Sequence, residues 1–355
     1  MKALILSGGK GTRLRPITYT GAKQLVPVAN RPILAYVIDN IVKAGIKDIG
    51  IIISPETGVE IKKAIGDGSR WGAEITYILQ SEPKGLAHAV LIAKGFLGDA
   101  CFVMYLGDNL IGCGIERFME TFEEKKADAV ILLKPVDNPS SFGIAEINGE
   151  GRIINLEEKP ENPKSNLALV GVYIFSPKVH NAIADIKPSV RGELEITDAI
   201  DHLVKTDQPV HSHMLDTWWL DTGKKDDLLA ANTIVLDEWT KRSIMGKVDE
   251  ASQITGRVDI DDRAIIKNSV LRGPIVVGAG ALIEDSFIGP FTSIGDNTHI
   301  RKSNIEHSVL LAGVEIDHVE RLEDSLIGRG ARIAKCHHKH HALRLMIGDD
   351  SVVEV

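Results

Sequence analysis

The chain has 355 residues, 44% hydrophobic and 25% charged, enough apolar material for a large core and, by length, for two domains. Its net charge of −8 gives no basic footprint for nucleic acid, but a few placed Lys and Arg could still hold a free nucleotide. Cys101, Cys113 and Cys336 lack any paired spacing, and the chain shows neither a signal peptide nor an apolar stretch near the ~20 residues of a membrane span. These features predict free thiols in a soluble, cytoplasmic protein.

Short apolar runs at Ala3–Leu6, Ile49–Ile53, Ile75–Leu79, Cys101–Leu106 and Ala129–Leu133 read as strands buried on both faces. Between the first two, Ile33, Leu34, Val37, Ile38, Ile41 and Val42 form one helical stripe, with Pro32 at its start and Gly45 at its stop. Repeated strand–helix–strand units predict an α/β domain with a Rossmann-like, mostly parallel sheet, and ligands beyond the carboxyl ends of its strands. A helix is expected over 224–241.

Beyond Trp239 the pattern changes. Val276, Leu282, Ile288, Ile294 and Ile300 recur every six residues, and Ile254, Ile260 and Ile266 form an earlier run of that period in a different phase. Period six suits neither a helix nor a hairpin and predicts a left-handed hexapeptide β-helix, with Gly289 and Gly295 at corners. From Glu320, "SLIGRGARI" continues the pattern loosely. The expected division is a catalytic domain over 1–240, a β-helix over 250–345 and a short tail over 346–355.

The first strand leads into "SGGKGTRLRP". Lys10 precedes Gly11 rather than a hydroxyl residue, so this is not a Walker loop; Leu14 stands where a dinucleotide fingerprint needs glycine. Backbone N–H groups from Gly8 to Thr12 could still cradle phosphate, with Arg13, Arg15 and Lys23 supplying charge.

"GGKGTRLRP … KQLVPV", followed in order by "QSEPKGLAHA", "LGDN", "FGIAEI", "LEEKP", "GVYIF", "RGELEITDAI" and "WWLDTG", resembles the sugar-1-phosphate nucleotidylyltransferases over nearly the whole chain. The set is most similar to the long thymidylyltransferase branch that carries a C-terminal hexapeptide domain. That resemblance implies transfer of a nucleotidyl group from dTTP to α-D-glucose 1-phosphate, giving dTDP-glucose and pyrophosphate on the way to deoxysugars such as dTDP-rhamnose. Both reactants are anions, so charge neutralisation and alignment are the enzyme's main work. The sugar phosphate is already ionised, so no protein nucleophile is required.

By resemblance, Asp108 and Asp221 hold Mg²⁺, a cation suited to one or two carboxylates plus phosphate oxygens and water. Arg13, Lys23 and Lys159 are the implied catalytic charges: Arg13 at the leaving phosphates, Lys23 beside the scissile bond and Lys159 on the attacking phosphate. Leu6, Gly8, Gly9, Gly11, Thr12, Arg13, Gln24, Gln80, Gly85 and Asp108 form the implied nucleotide site. The Gln80 amide matches the O4 and N3–H edge shared by thymine and uracil, so dTTP and UTP both fit it. Gly143, Glu158, Lys159, Leu169, Gly171 and Arg191 form the implied sugar-phosphate site, with Arg191 alternatively paired with Glu193 and Glu195. Phe142 replaces a frequent Tyr, and His88 a frequent Gln.

For the C-terminal domain two readings stand. One is assembly as homo-oligomers built on β-helix trimers. The other is acetyl transfer to an amino sugar, with His299, His307 or His318 as base. "CHHKHH" (336–341) could bind a metal or be a polar segment. A non-catalytic regulatory subunit would have lost some of Arg13, Lys23, Asp108, Lys159 and Asp221, all present here.

Overall fold

The computed structural model describes residues 1–9, 11–19, 21–149, 151–223, 225–335 and 349–353. The "CHHKHH" segment lies outside the described residues. The chain divides into two units, one of residues 1–10 and 33–221, the other of residues 11–32 and 222–355.

The first unit is built on a nine-stranded mixed sheet. Four parallel strands lie in the order Glu74–Leu79, Asp48–Ile53, Lys2–Leu6 and Phe102–Leu106. This is the Rossmann-like half, and its strands coincide with four of the apolar runs. Leu167–Phe175 runs antiparallel to Phe102–Leu106, and Ala129–Pro135 runs antiparallel to Leu167–Phe175, with Val210–Met214 parallel beside it. The hairpin Gly143–Ile147 with Ile153–Glu158 meets the start of Leu167–Phe175. Helix Ile33–Lys43 buries Ile33, Leu34, Val37, Ile38 and Ile41 of the expected stripe, while Val42 is only partly buried. Leu4, Ile52, Phe102, Met104, Ile131 and Phe175 lie in the hydrophobic cluster of this unit, all essentially without solvent exposure.

In the second unit, parallel ladders of six, six and four short strands form the three faces of a β-helix. The register Ile266↔Ile283↔Ile300 and Leu271↔Ile288↔Ile305 defines the coil. Successive corner serines stack 17 residues apart: the Ser286 backbone N–H donates to Ser269 Oγ and that of Ser303 to Ser286 Oγ. One face therefore advances by five residues rather than six. The short corner turns through Asn268, Asp285 and Lys302, all with left-handed φ between 44° and 49°.

This shorter step shifts the inward phase. Ile288, Ile294 and Ile300 face the core as expected, but the inward residues before them are Val277 and Ile283, not Val276 and Leu282. Gly295 permits close coil contact, because a Cβ there would lie 2.7 Å from the Ala312 backbone nitrogen. Helix Lys225–Trp239 packs on an outer face of the same unit. Its buried Asn232 donates to Phe291 O at 3.1 Å and accepts from Ser293 Oγ at 2.6 Å.

Candidate active site

In the first unit, Lys2–Leu6 and Phe102–Leu106 end in register, Leu6 opposite Leu106, and Gly107 N donates to Leu6 O at 2.9 Å. Gly8, Gly9 and Asp108 thus leave the sheet from neighbouring carboxyl ends, where an open α/β sheet binds ligands. Asp108 is followed directly by the short strand Asn109–Ile111, which pairs antiparallel with Trp219–Asp221 so that Asp221 faces Asn109. This two-stranded ladder brings Asp221, distant in sequence, opposite the residue that follows Asp108.

Asn109 is the organising residue of this pair and was not among the expected site residues. It is 2% exposed. Its Nδ2 donates to Asp108 Oδ1 at 3.0 Å, while its Oδ1 accepts from Trp219 Nε1 at 2.6 Å and from the Gly171 backbone N–H at 3.3 Å. The only sequence signal for it is its place in "LGDN", directly after the aspartate. A Cβ on Gly171 would come within 2.6 Å of Asn109 Oδ1, which gives that glycine a steric reason.

The Trp219 ring continues the chain of contacts, lying 5.2 Å from that of Phe142. Phe142 O accepts the Lys159 backbone N–H at 3.0 Å, and Lys159 has φ of 46°, an unusual conformation for a residue with a Cβ. Lys159 Nζ is 3.7 Å from Glu158 Oε1, and Thr197 Oγ1 donates to Glu158 Oε2 at 2.7 Å. A Cβ on Gly143 would lie 2.9 Å from both Glu158 Oε2 and Thr197 Oγ1. Gly143, Glu158 and Lys159 are therefore one cluster. Leu169 is buried in the strand Leu167–Phe175, two residues before Gly171.

Arg191 donates to Glu195 at 2.8 Å and also reaches Glu158 at 3.5 Å and Glu193 at 3.6 Å. The ion pair, one of its two expected roles, is thus present. Burial, reinforced by the charges of Glu195, Asp201 and Glu158, raises the Asp198 pKa, against a weaker opposing pull from Lys205. The surroundings of Glu158 are consequently rich in negative charge, and Lys159 and Arg191 are the cations that offset it.

Gln80 follows the strand Glu74–Leu79, and its Oε1 would lie 3.3 Å from a Cβ on Gly8. Its Nε2 is 3.3 Å from Gly85 O and 3.0 Å from His88 Nδ1. Gly85 has φ of 99°, and a Cβ there would strike Leu194 O at 2.4 Å, so only glycine fits.

The remaining predicted residues belong to the second unit. Gly11 has φ of 61°, and its carbonyl accepts from Thr18 Oγ1 at 2.6 Å. Thr12 and Arg13 are exposed on the 3₁₀ turn Thr12–Leu14. Lys23 is 7% exposed, and its Cβ would lie 3.0 Å from one on Gly11. Gln24 is buried, and its Oε1 has no hydrogen-bond partner among the described residues.

Asp108 and Asp221 are all-oxygen donors. Among the described residues no cluster of three or more His, Cys, Asp or Glu could hold a metal. A carboxylate pair fits a hard divalent cation that takes its other ligands from phosphate and water.

Residues 2–238 match the nucleotidyl transferase family. A glucose-1-phosphate thymidylyltransferase of Streptomyces antibioticus is 51% identical over 356 residues, covering 100% of this chain and 99% of that protein. One from Streptomyces griseus is 48% identical over 355 residues, with 100% and 99% covered. A 2.76 Å crystal structure of a Bacillus anthracis protein described by the same activity, in complex with sucrose, superposes with a TM-score of 0.63 at 37% identity, covering 66% of this chain and 94% of that one. These matches show that the chain belongs to the nucleotidyl transferase family.

Proposed function

We propose that the protein transfers the thymidylyl group of dTTP to α-D-glucose 1-phosphate, releasing pyrophosphate and forming dTDP-glucose, a precursor of deoxysugar nucleotides such as dTDP-rhamnose. The observation that carries this reading is the Asn109–Asp221 register, which brings the backbone of Asp221 opposite the neighbour of Asp108 beyond the sheet. The relatives' activity and the Gln80 amide support the choice of dTTP and glucose 1-phosphate. In this reading the attacking oxygen belongs to the sugar phosphate and displaces pyrophosphate in line from the α-phosphorus.

Lys159 holds the attacking phosphate, and Glu158, fixed by Thr197, accepts from sugar hydroxyls. Gly143 and Gly171 allow close backbone approach to the sugar beside Leu169, and Arg191 supports this phosphate end from its pair with Glu195. Leu6, Gly8, Gly9, Gly11, Thr12 and Gln24 line the nucleotide, Gln80 and Gly85 take its base, and Arg13 and Lys23 neutralise its phosphates. Enzymes of this family generally use a divalent metal; Asp108 and Asp221 would hold it here as Mg²⁺, which when bound neutralises charge on the reacting phosphates. A reaction fed by the nucleoside triphosphate pool suits the cytoplasm, and no helix among the described residues is long and apolar enough to cross a membrane. The stacked parallel coils suit trimeric assembly, which solution mass measurement would check.

The test is pyrophosphate release with dTTP, UTP, ATP, CTP and GTP, each crossed with several sugar 1-phosphates. Highest kcat/KM is expected for dTTP with glucose 1-phosphate. No turnover with either dTTP or UTP would overturn the proposal.

A further inference from the structure

We infer that neutral His88 is a positioning residue that orients the Gln80 amide and thereby sets which base edge the site accepts. This rests on the reading of Gln80 as the base-reading residue.

The argument is one of donors and acceptors. The Gly85 carbonyl can only accept, so the Gln80 group 3.3 Å from it is the amide nitrogen. That same nitrogen is 3.0 Å from His88 Nδ1. It carries two hydrogens and no acceptor capacity, so Nδ1 must present a lone pair. His88 is therefore a neutral imidazole with its proton on Nε2. Gly85 and His88 together take both amide hydrogens, which turns Oε1 toward Gly8, where a Cβ would lie 3.3 Å away. An oxygen in that position accepts from the N3–H of thymine or uracil; with both amide hydrogens engaged, the donor to O4 expected of this amide must come from another group. It repels cytosine, whose N3 has no hydrogen to give.

Protonating His88 would set N–H against N–H and release the amide. Burial, with help from the Lys84 charge, lowers the His88 pKa below the ordinary imidazole value, and Glu82 opposes that shift. Glu82 is itself paired with Lys84 at 2.6 Å. The charges on the loop facing the ring thus leave it in the form that the Gln80 contact requires.

The test compares wild type, His88→Leu, His88→Gln and Gln80→Leu, with KM and kcat measured for dTTP and dCTP at saturating glucose 1-phosphate from pH 5.5 to 8.5. His88→Leu removes the acceptor and should raise KM for dTTP about tenfold, with kcat changed less than about twofold, and should reduce discrimination against dCTP. His88→Gln supplies an acceptor oxygen that does not titrate and should restore KM to within about threefold of wild type. The ratio of wild-type KM to that of His88→Gln should rise as pH falls; ionisation of the substrates cancels in this ratio. If His88→Leu binds dTTP like wild type while Gln80→Leu does not, the role of His88 is overturned and the base reading stands. If Gln80→Leu leaves KM for dTTP unchanged, the base reading falls, and the inference with it. Equal impairment of both His88 variants would also overturn it, because ring packing rather than an acceptor would then matter.

Discussion

Asn232 accepts the backbone N–H of Ala29 at 2.9 Å. The same buried amide holds Ser293 and Phe291, and Asn30 Nδ2 donates to Ile294 O at 2.6 Å. The segment after Lys23 is thus anchored to the repeat coils, and the β-helix has a structural stake in a loop that carries proposed phosphate-binding charge. Asn232→Ala leaves several buried groups without partners and should cost about 2–3 kcal/mol in urea unfolding. It should also lower kcat/KM for dTTP more than for glucose 1-phosphate.

Asp108→Asn and Asp221→Asn keep the size of each side chain and remove its charge. Each should lower kcat on the order of 100-fold or more, with the unfolding midpoint little changed. Near-normal turnover in both variants would remove the metal assignment.

Gly171→Ala probes the same site indirectly. The new methyl would lie 2.6 Å from Asn109 Oδ1 and 2.7 Å from Leu106 Cδ1, so Asn109 must shift. The expected result is a loss of about 1–3 kcal/mol and a higher Mg²⁺ concentration for half-maximal activity, read from a metal titration.

His180 is 6% exposed, and neither ring nitrogen has a hydrogen-bond partner among the described residues. Burial lowers its pKa, assisted by Lys94 and opposed by Asp99. The unfolded chain takes up this proton near the ordinary imidazole pKa of about 6.5, and the folded chain only at lower pH. The stability contribution is therefore complete above about 6.5 and declines below it, until the folded pKa is passed. His180→Phe should flatten the unfolding free energy between about pH 7 and pH 5, as measured by urea titrations.

Much of the fold was legible because periodicity is a local signal. Four of the five apolar runs are strands of the parallel half-sheet, and the fifth, Ala129–Leu133, lies in a strand antiparallel to Leu167–Phe175. Most of the stripe on Ile33–Lys43 is a buried helix face. Period six identifies the β-helix but points to Val276 and Leu282 as inward residues, where the structure has Val277 and Ile283. Two causes account for this: the five-residue corner changes the phase, and Val276, though on an outer face, is buried, with only 9% of its surface exposed. Apolar identity alone does not distinguish core from a covered outer face.

By itself the sequence determined the α/β and hexapeptide character, the glycine turn and the kinds of charge available. Those properties follow from residue type and short-range spacing. Only tertiary structure decided that Asn109 braces Asp108 beside Asp221, that Arg191 engages Glu195, and that His88 meets Gln80 through Nδ1. Each depends on strand register or on how a loop returns to the sheet. A hydrogen bond is set by distances and angles of a few ångströms, and those arise when distant segments pack, not from their order along the chain.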